Sequence, residues 1–561
     1  MTYRSVRSLS ALLIAGAVFA AACGGSDDDG DTASGGVTAT TAGAPAATVG
    51  GNAPDVGSSD TTEAGGDASA TTDAGTDASY DTEATFVYAY PITVSRLDPH
   101  RASISQDGTT LFPAYDRLVH LAPTGEFIPG LATDWQFSED GLTLTLTIRE
   151  GVTFHDGAPF DAEAVKTNLD RATSIEGSSV ATDLNAIESV SVVDPTTVEI
   201  ALSRPNVALI GSFSDRAGIM VSPQAIADGV NLDEEMVGAG PYRMVSHTPG
   251  ATTIFERYDE YWNTEQIAKV QTLEIRVIAD QVARLNALRT GQIDATTIGA
   301  NQVSEVEGDS EVVLQFNTEL QYFYIVQNRA RAGQDDVRVR QALLHGLDRQ
   351  AMCDALLFGY CVLTDQVFPP GYYAYNTEID DVLYPYDPEQ AKAMLAEAGV
   401  TSMEFSMLIP AGLATYPEMA EIIQAQWAEL GATVSIEAVE PTQLGELMFA
   451  QESADQMLAT WGGRPHPLMT FIQRGSAEGF ANPGGVTTDA MTEYIAEASA
   501  ATDADARQAA LQAGSREMAE QVLEMVLMFP QVPYAMATDV EFTPYLTSKP
   551  EFREVGILAG S

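Results

Sequence analysis

Residues 404–409 read Glu404-Phe405-Ser406-Met407-Leu408-Ile409, a short apolar run that predicts a strand. A helical pattern follows from about Pro417 to Leu430. It puts Met419, Ile422, Ile423, Trp427 and Leu430 on one face and ends at Gly431. Thr433–Val439 then alternates Val434, Ile436 and Ala438 as a second strand. Thr442–Ala450 reads as another helix and Met457–Trp461 as a third strand. Strand, helix, strand, helix, strand implies a parallel layer in an α/β protein. Ligands of such layers bind at the carboxyl ends of the strands. Two loops fall there: Pro410–Tyr416, and Gly462-Gly463-Arg464-Pro465-His466-Pro467. The pattern alone thus predicts a site in the second half of the chain.

Upstream of this layer, Asp387-Pro388-Glu389-Gln390 predicts a helix start, with Asp as N-cap, Pro at the first helical position and a stop at Gly399. The first half mixes strands and helices without strict alternation. Leu142–Ile148 alternates Leu and Thr after the turn signal Glu139-Asp140-Gly141. A helix is predicted from Asp161, and strands at Thr197–Leu202 and Leu273–Ile278.

The N-terminus has a different character. Arg4 and Arg7 precede an apolar run from Ala11 to Ala22, which is too short to span a bilayer comfortably. It ends Ala20-Ala21-Ala22-Cys23-Gly24, which resembles a bacterial lipobox. The expectation is a signal peptide over 1–22 and lipidation at Cys23; an ordinary cleaved signal with a chance cysteine is the alternative. Residues 23–85, rich in Gly, Ala, Ser, Thr and Asp, hold twelve acids and no Lys or Arg, and read as a flexible tether.

The 561 residues carry 79 acidic and 28 basic side chains, a formal net charge of −51. From Phe86 onward 67 acids face 26 bases, so the folded body is itself acidic. Nucleic acid is excluded as a partner, because phosphate binding needs clustered Lys and Arg. The four lysines are Lys166, Lys269, Lys392 and Lys549, and none follows a glycine, so there is no Walker A loop. No Gly-x-Ser-x-Gly elbow and no His-Glu-x-x-His helix occurs, and the six histidines form no tight pair. The expectation is a binding protein without enzymatic activity, cofactor or resident metal. Cys353 and Cys361 are the cysteines of the body; outside the cell they could form a disulfide or remain two buried thiols.

A series of ordered blocks resembles the extracellular solute-binding proteins of family 5, the dipeptide, oligopeptide and nickel-binding group of ABC importers. The blocks include Leu97-Asp98-Pro99, Tyr115-Asp116-Arg117-Leu118-Val119 and Pro129-Gly130-Leu131-Ala132-Thr133-Asp134-Trp135. The most specific runs from Leu146-Thr147-Ile148 to Phe154-His155-Asp156-Gly157. Gly238-Ala239-Gly240-Pro241-Tyr242, Thr290-Gly291-Gln292-Ile293-Asp294 and Tyr386-Asp387-Pro388-Glu389-Gln390 follow in order.

The resemblance implies a two-lobed fold with ligand between the lobes. Lobe I would comprise 86–318, with 531–561 returning to it, and lobe II 319–530. It also implies a monomer lipid-anchored outside the cytoplasmic membrane, with a small solute and membrane permease subunits as partners. An oligopeptide is the leading cargo. A nickel complex, an oligosaccharide, an anionic metabolite, or ligand sensing without transport are the alternatives. Most blocks are then scaffold, His155-Asp156-Gly157 and the tryptophans Trp135 and Trp262 included.

In peptide-binding members the loop after the third strand starts with Trp and carries an Asp for the peptide's ammonium. Here Trp461 matches, Arg464 stands at the aligned position, and His466 replaces the Asp of a related Trp-x-Gly-Arg-x-Asp-Pro version. The loop ending at Tyr416 lacks the carboxylate-holding Arg of dipeptide binders. The expected ligand-facing set is therefore Trp461, Gly462, Gly463, Arg464, His466, Tyr416 and Tyr322, with Ser105, Gln106 and Asp107 from lobe I. Arg464 would either favour an anionic group or bond local carbonyls. Trp461 would be a flat apolar wall or plain core.

Overall fold

In the computed structural model, which describes residues 79–501 and 503–560, Met403–Pro410 and Ala432–Val439 pair in parallel from Met403↔Ala432 to Pro410↔Val439. Gln456–Trp461 joins on the other side, also parallel, through Met407↔Gln456 and Leu408↔Met457. The helix Thr415–Ala428 crosses between the first two strands and buries Met419, Ala420, Ile423 and Trp427 against them. Trp427 is fully enclosed, and its indole N–H donates to the Leu343 carbonyl at 2.9 Å. The second crossover departs from the expected single helix. Pro441–Gly445 is α-helical, but Glu446–Ala450 widens into a π-helical turn.

The predicted caps form. Asp387 accepts from the Gln390 N–H at 2.8 Å and starts the helix Pro388–Glu397, which stops before Gly399 at φ 75°. Asp161 accepts from the Ala164 N–H at 3.0 Å and starts the helix Ala162–Ser174. That helix covers a four-stranded antiparallel sheet in the order Ala132–Phe137, Thr143–Ile148, Thr197–Leu202, Ile187–Asp194. Leu144, Leu146 and Ile148 face its core.

The parallel layer continues into a twelve-stranded mixed sheet. Tyr322–Gln327 runs antiparallel to Gln456–Trp461, in register Tyr322↔Trp461, Phe323↔Thr460 and Tyr324↔Ala459. The long strand Met525–Ala537 follows and links the two halves of the molecule. Its start pairs with Tyr322–Gln327; its end, from Gln531, pairs with Val312–Thr318 and with Ala295–Thr297. Thr85–Tyr90 and Thr272–Val277 extend the sheet beyond. Pro530 and Pro533 lie in the long strand where it passes from one half to the other. Neither can donate to the ladder, so the sheet is weakest there.

The buried apolar side chains divide accordingly. One group draws on Phe86 to Val312 together with residues of 534–555, Tyr534, Met536, Phe542, Phe552 and Val555 among them. The other draws mainly on Leu320 to Phe529. Trp135 and Trp262 pack against the first core. Cys353 and Cys361 are joined by a disulfide, with Cα atoms 6.2 Å apart.

The predicted signal peptide, Cys23 and the tether up to residue 78 lie outside the described residues. The tether expected up to residue 85 stops short of residue 79. Tyr80 bridges to Leu558, the Asp81 N–H donates to the Ile557 carbonyl at 2.9 Å, and Lys269 lies over the Tyr80 ring at 3.9 Å. Ring and backbone contacts thus fix residues 79–85 to the body.

Candidate functional site

The third parallel strand ends at Trp461, and Gly462-Gly463-Arg464 follow at its carboxyl end. Gly463 has φ 69°, and a Cβ there would lie 2.5 Å from the Leu320 Cβ. Only glycine permits that approach, so the loop sits directly on the segment where the chain crosses between halves. Gly462 is exposed and crowds nothing.

Arg464 turns back over this loop. Its guanidinium stacks on the Trp461 indole at 4.3 Å. It also donates to the Gly463 carbonyl at 2.8 Å and to Gln473 Oε1 at 3.1 Å. Its pKa is lowered, first by burial and then by the like charge of Arg474, against the opposing pull of Asp183 from the first half. Arg464 thus bonds local acceptors and feels a carboxylate of the other half.

Sequence reasoning missed Arg474. It lies on the π-helical turn Phe471–Gly475 and is 1% exposed. It forms a bidentate pair with Glu524 at 2.7 and 2.6 Å, donates to the Tyr324 hydroxyl at 3.0 Å, and lies 4.8 Å from the Trp461 ring. Burial alone would weaken its hold on the proton, but Glu524 and the Tyr324 and Tyr322 hydroxyls outweigh that and raise its pKa. Two guanidiniums therefore share one indole, and one of them is fully compensated by a buried carboxylate. The signal was present: Arg474 follows Phe471-Ile472, and Glu524 sits inside Val522-Leu523-Glu524-Met525-Val526. Charges in such runs are tolerated only with a partner.

Trp461 and Tyr322 share this face of the sheet. Both are buried, and neither the Trp461 N–H nor the Tyr322 hydroxyl has a hydrogen-bond partner.

Five expected site residues lie elsewhere. Tyr416 packs edge-on to Phe323 and shares a 2.6 Å hydrogen bond with Thr460. Phe323 and Thr460 are one residue off Tyr322 and Trp461, so strand alternation puts Tyr416 on the opposite face. His466 caps the turn Pro467–Thr470, accepting from the Leu468 N–H at 3.2 Å, and stacks on Phe127 of the first half at 5.5 Å. Burial lowers its pKa to about 3, so it is a neutral packing group. Asp107 accepts from the Ser95 N–H at 2.7 Å, the Ser95 hydroxyl at 2.6 Å and the Ile104 N–H at 2.9 Å. Those bonds fix its own loop and leave it 1% exposed. Ser105 belongs to the same single turn, Ser105–Asp107, whereas Gln106 is half-buried there.

Acting on Arg464 from the first half is Asp183, which in turn lies near Asp215, Arg216 and Lys549 of the returning segment. Lys549 pairs with Asp215, and Arg216 donates to the Ala102 carbonyl. The pKa of Asp183 is raised, by burial first and then by Asp215, although Arg216, Arg464 and Lys549 pull the other way. Beside this contact Leu121, Gly125, Leu320, Tyr372, Pro465 and Leu546, drawn from both halves, lie close together. Among the described residues no group of three or more His, Cys, Asp or Glu side chains could hold a metal ion.

Two α/β halves joined by a shared sheet, with Arg464 of one acting on Asp183 of the other, fit a solute-binding class of protein. Residues 126–482 match the family described as bacterial extracellular solute-binding proteins, family 5 (middle), and the chain belongs to that family. A glutathione-binding protein of Pectobacterium atrosepticum is 29% identical over 361 residues, covering 64% of this chain and 70% of the relative. The dipeptide-binding protein of Escherichia coli is 30% identical over 363 residues, covering 58% and 66%. HbpA2 from Haemophilus parasuis superposes with a TM-score of 0.76 at 24% identity, covering 84% of this chain and all of that one. A nickel ABC transporter protein from Bacillus halodurans gives 0.75 at 23% identity, over 85% and 100%. The fold is thus the two-lobed binding-protein fold of this family.

Proposed function

We propose that this protein captures a peptide carrying at least one carboxylate between its lobes and delivers it to the permease of an ABC importer. The lobes would be 86–318 with 531–561, and 319–530. Lipidation of Cys23 would hold the body outside the cytoplasmic membrane as a monomer, with no catalysis of its own. The observation that carries the reading is Arg464, stacked on Trp461 at the strand ends of one half and opposed by Asp183 of the other. Relatives named for glutathione and dipeptide binding support the peptide class. A guanidinium held flat on an indole presents its edge to a carboxylate. A solute touching both lobes shifts the open–closed equilibrium toward closure.

Calorimetric titration of the intact protein with reduced glutathione, a dipeptide and its C-terminal amide tests this. Arg464→Ala should weaken carboxylate-bearing peptides by about 10- to 100-fold, the worth of a charge-assisted hydrogen bond, and the amide far less. Equal affinity of wild type and variant for glutathione would refute the role of Arg464.

A further inference from the structure

Glu319 is the residue before Leu320, on which the Arg464 loop rests through Gly463. It lies where the chain crosses between the halves, yet its side chain is buried, with a relative exposure of 6%. Among the described residues no cation pairs with it. Among the described residues its carboxylate accepts one hydrogen bond, a long one from the Tyr534 hydroxyl at 3.5 Å. Around it stand Tyr88 and Tyr90 from the strand Thr85–Tyr90, both close enough to Glu319 for their charges to interact. The Tyr88 hydroxyl is fully buried and has no hydrogen-bond partner. Thr109 adjoins the Tyr90 hydroxyl from the first turn of the helix Gly108–Leu111. Arg284 is the one cation acting on Tyr88, but it is committed to the carbonyls of Ile278 at 2.8 Å and Ala279 at 2.9 Å. The result is a nest of oxygens around Glu319, with Asp107 also acting on Tyr90, and the one cation acting on Tyr88 already spent on carbonyls.

Such a nest is costly unless something cationic enters it. An ammonium has three donors and no acceptor, which matches a carboxylate flanked by phenol oxygens. We propose that this cluster receives the primary ammonium group of the captured solute, with Glu319 as its counter-ion. The inference rests on the peptide reading above and adds the orientation: ammonium at the crossing, carboxylate toward Arg464. Burial lifts Glu319 to about 7, so an arriving cation would also draw it into its ionised form.

The test titrates the intact protein with reduced glutathione and trialanine, each beside its N-acetylated form. Wild type should prefer the free amine by about 10- to 100-fold. Glu319→Gln should abolish that preference, and Tyr88→Phe should reduce it about threefold to tenfold through a lost hydrogen bond. If Glu319→Gln fails to fold, Tyr88→Phe and Tyr534→Phe carry the test. A preference that survives in the variants overturns the ammonium site and leaves the peptide reading standing. Equal binding of free and acetylated peptides by wild type does the same, and is the outcome if an inorganic cation fills the nest. Binding of neither form by wild type overturns the peptide reading and this inference with it.

Discussion

Replacing Glu319 by glutamine should stabilise the ligand-free protein in alkaline buffer and change little in acid. The carboxyl is lifted from the ordinary 4.5 to about 7, by burial first, with only the Tyr534 hydroxyl acting against it. A raised carboxyl pKa means that the folded state holds the proton more tightly than the unfolded chain. The stabilising protonated form is fully present below 4.5 and is lost as pH rises through about 7. Converted by linkage, that shift is worth about 3 kcal/mol once the group is ionised. Its neighbours do not titrate in this window: burial drives Tyr88 and Tyr534 well above 10 and Tyr90 to about 12. Chemical denaturation of wild type and variant at about pH 5 and about pH 8.5 isolates the contribution, because every other group is common to both proteins. The variant should gain about 3 kcal/mol relative to wild type between the two conditions. An unchanged difference would refute the reading of Glu319 as an uncompensated buried carboxylate.

Glu524→Gln leaves Arg474 charged beneath Trp461 without its bidentate partner, and should cost about 3–5 kcal/mol, measured as a fall in the denaturation midpoint. The double change Arg474→Met with Glu524→Met should recover much of that loss, since a buried pair replaced by apolar groups is often neutral. Gly463→Ala should destabilise by about 2–4 kcal/mol, combining a left-handed backbone penalty with the clash at Leu320. Gly412→Ala, at φ 81° with open space around it, should cost about 1–2 kcal/mol in the same melting assay.

The parts of this fold that were legible in the sequence are those set by short-range rules. The parallel layer followed from apolar runs of strand and helix period, and its helices from the caps at Asp387 and Asp161. The position of the Gly462-Gly463-Arg464 loop at the carboxyl end of a parallel strand followed from the strand order. Tyr416 was misplaced because loop position says nothing about which face a side chain takes. That depends on the pairing Phe323↔Thr460, which joins residues 137 apart. Asp107 and His466 have the residue types of ligand groups, but each satisfies the backbone of its own loop, a competition that a residue list does not reveal. Arg474, Glu524 and Glu319 are charges enclosed by distant segments. Their burial comes from the long strand Met525–Ala537 and its neighbours, and no local pattern encodes it.

The central claim is that a peptide is the solute held between these lobes. Native mass spectrometry of the gently purified full chain tests it directly, with fragmentation of any bound species. The account predicts a bound population whose released mass fragments as a peptide, and which exchanges for added glutathione or dipeptide. A released species that fragments as a sugar or a metal chelate, or a protein that neither carries nor takes up any peptide, would contradict it.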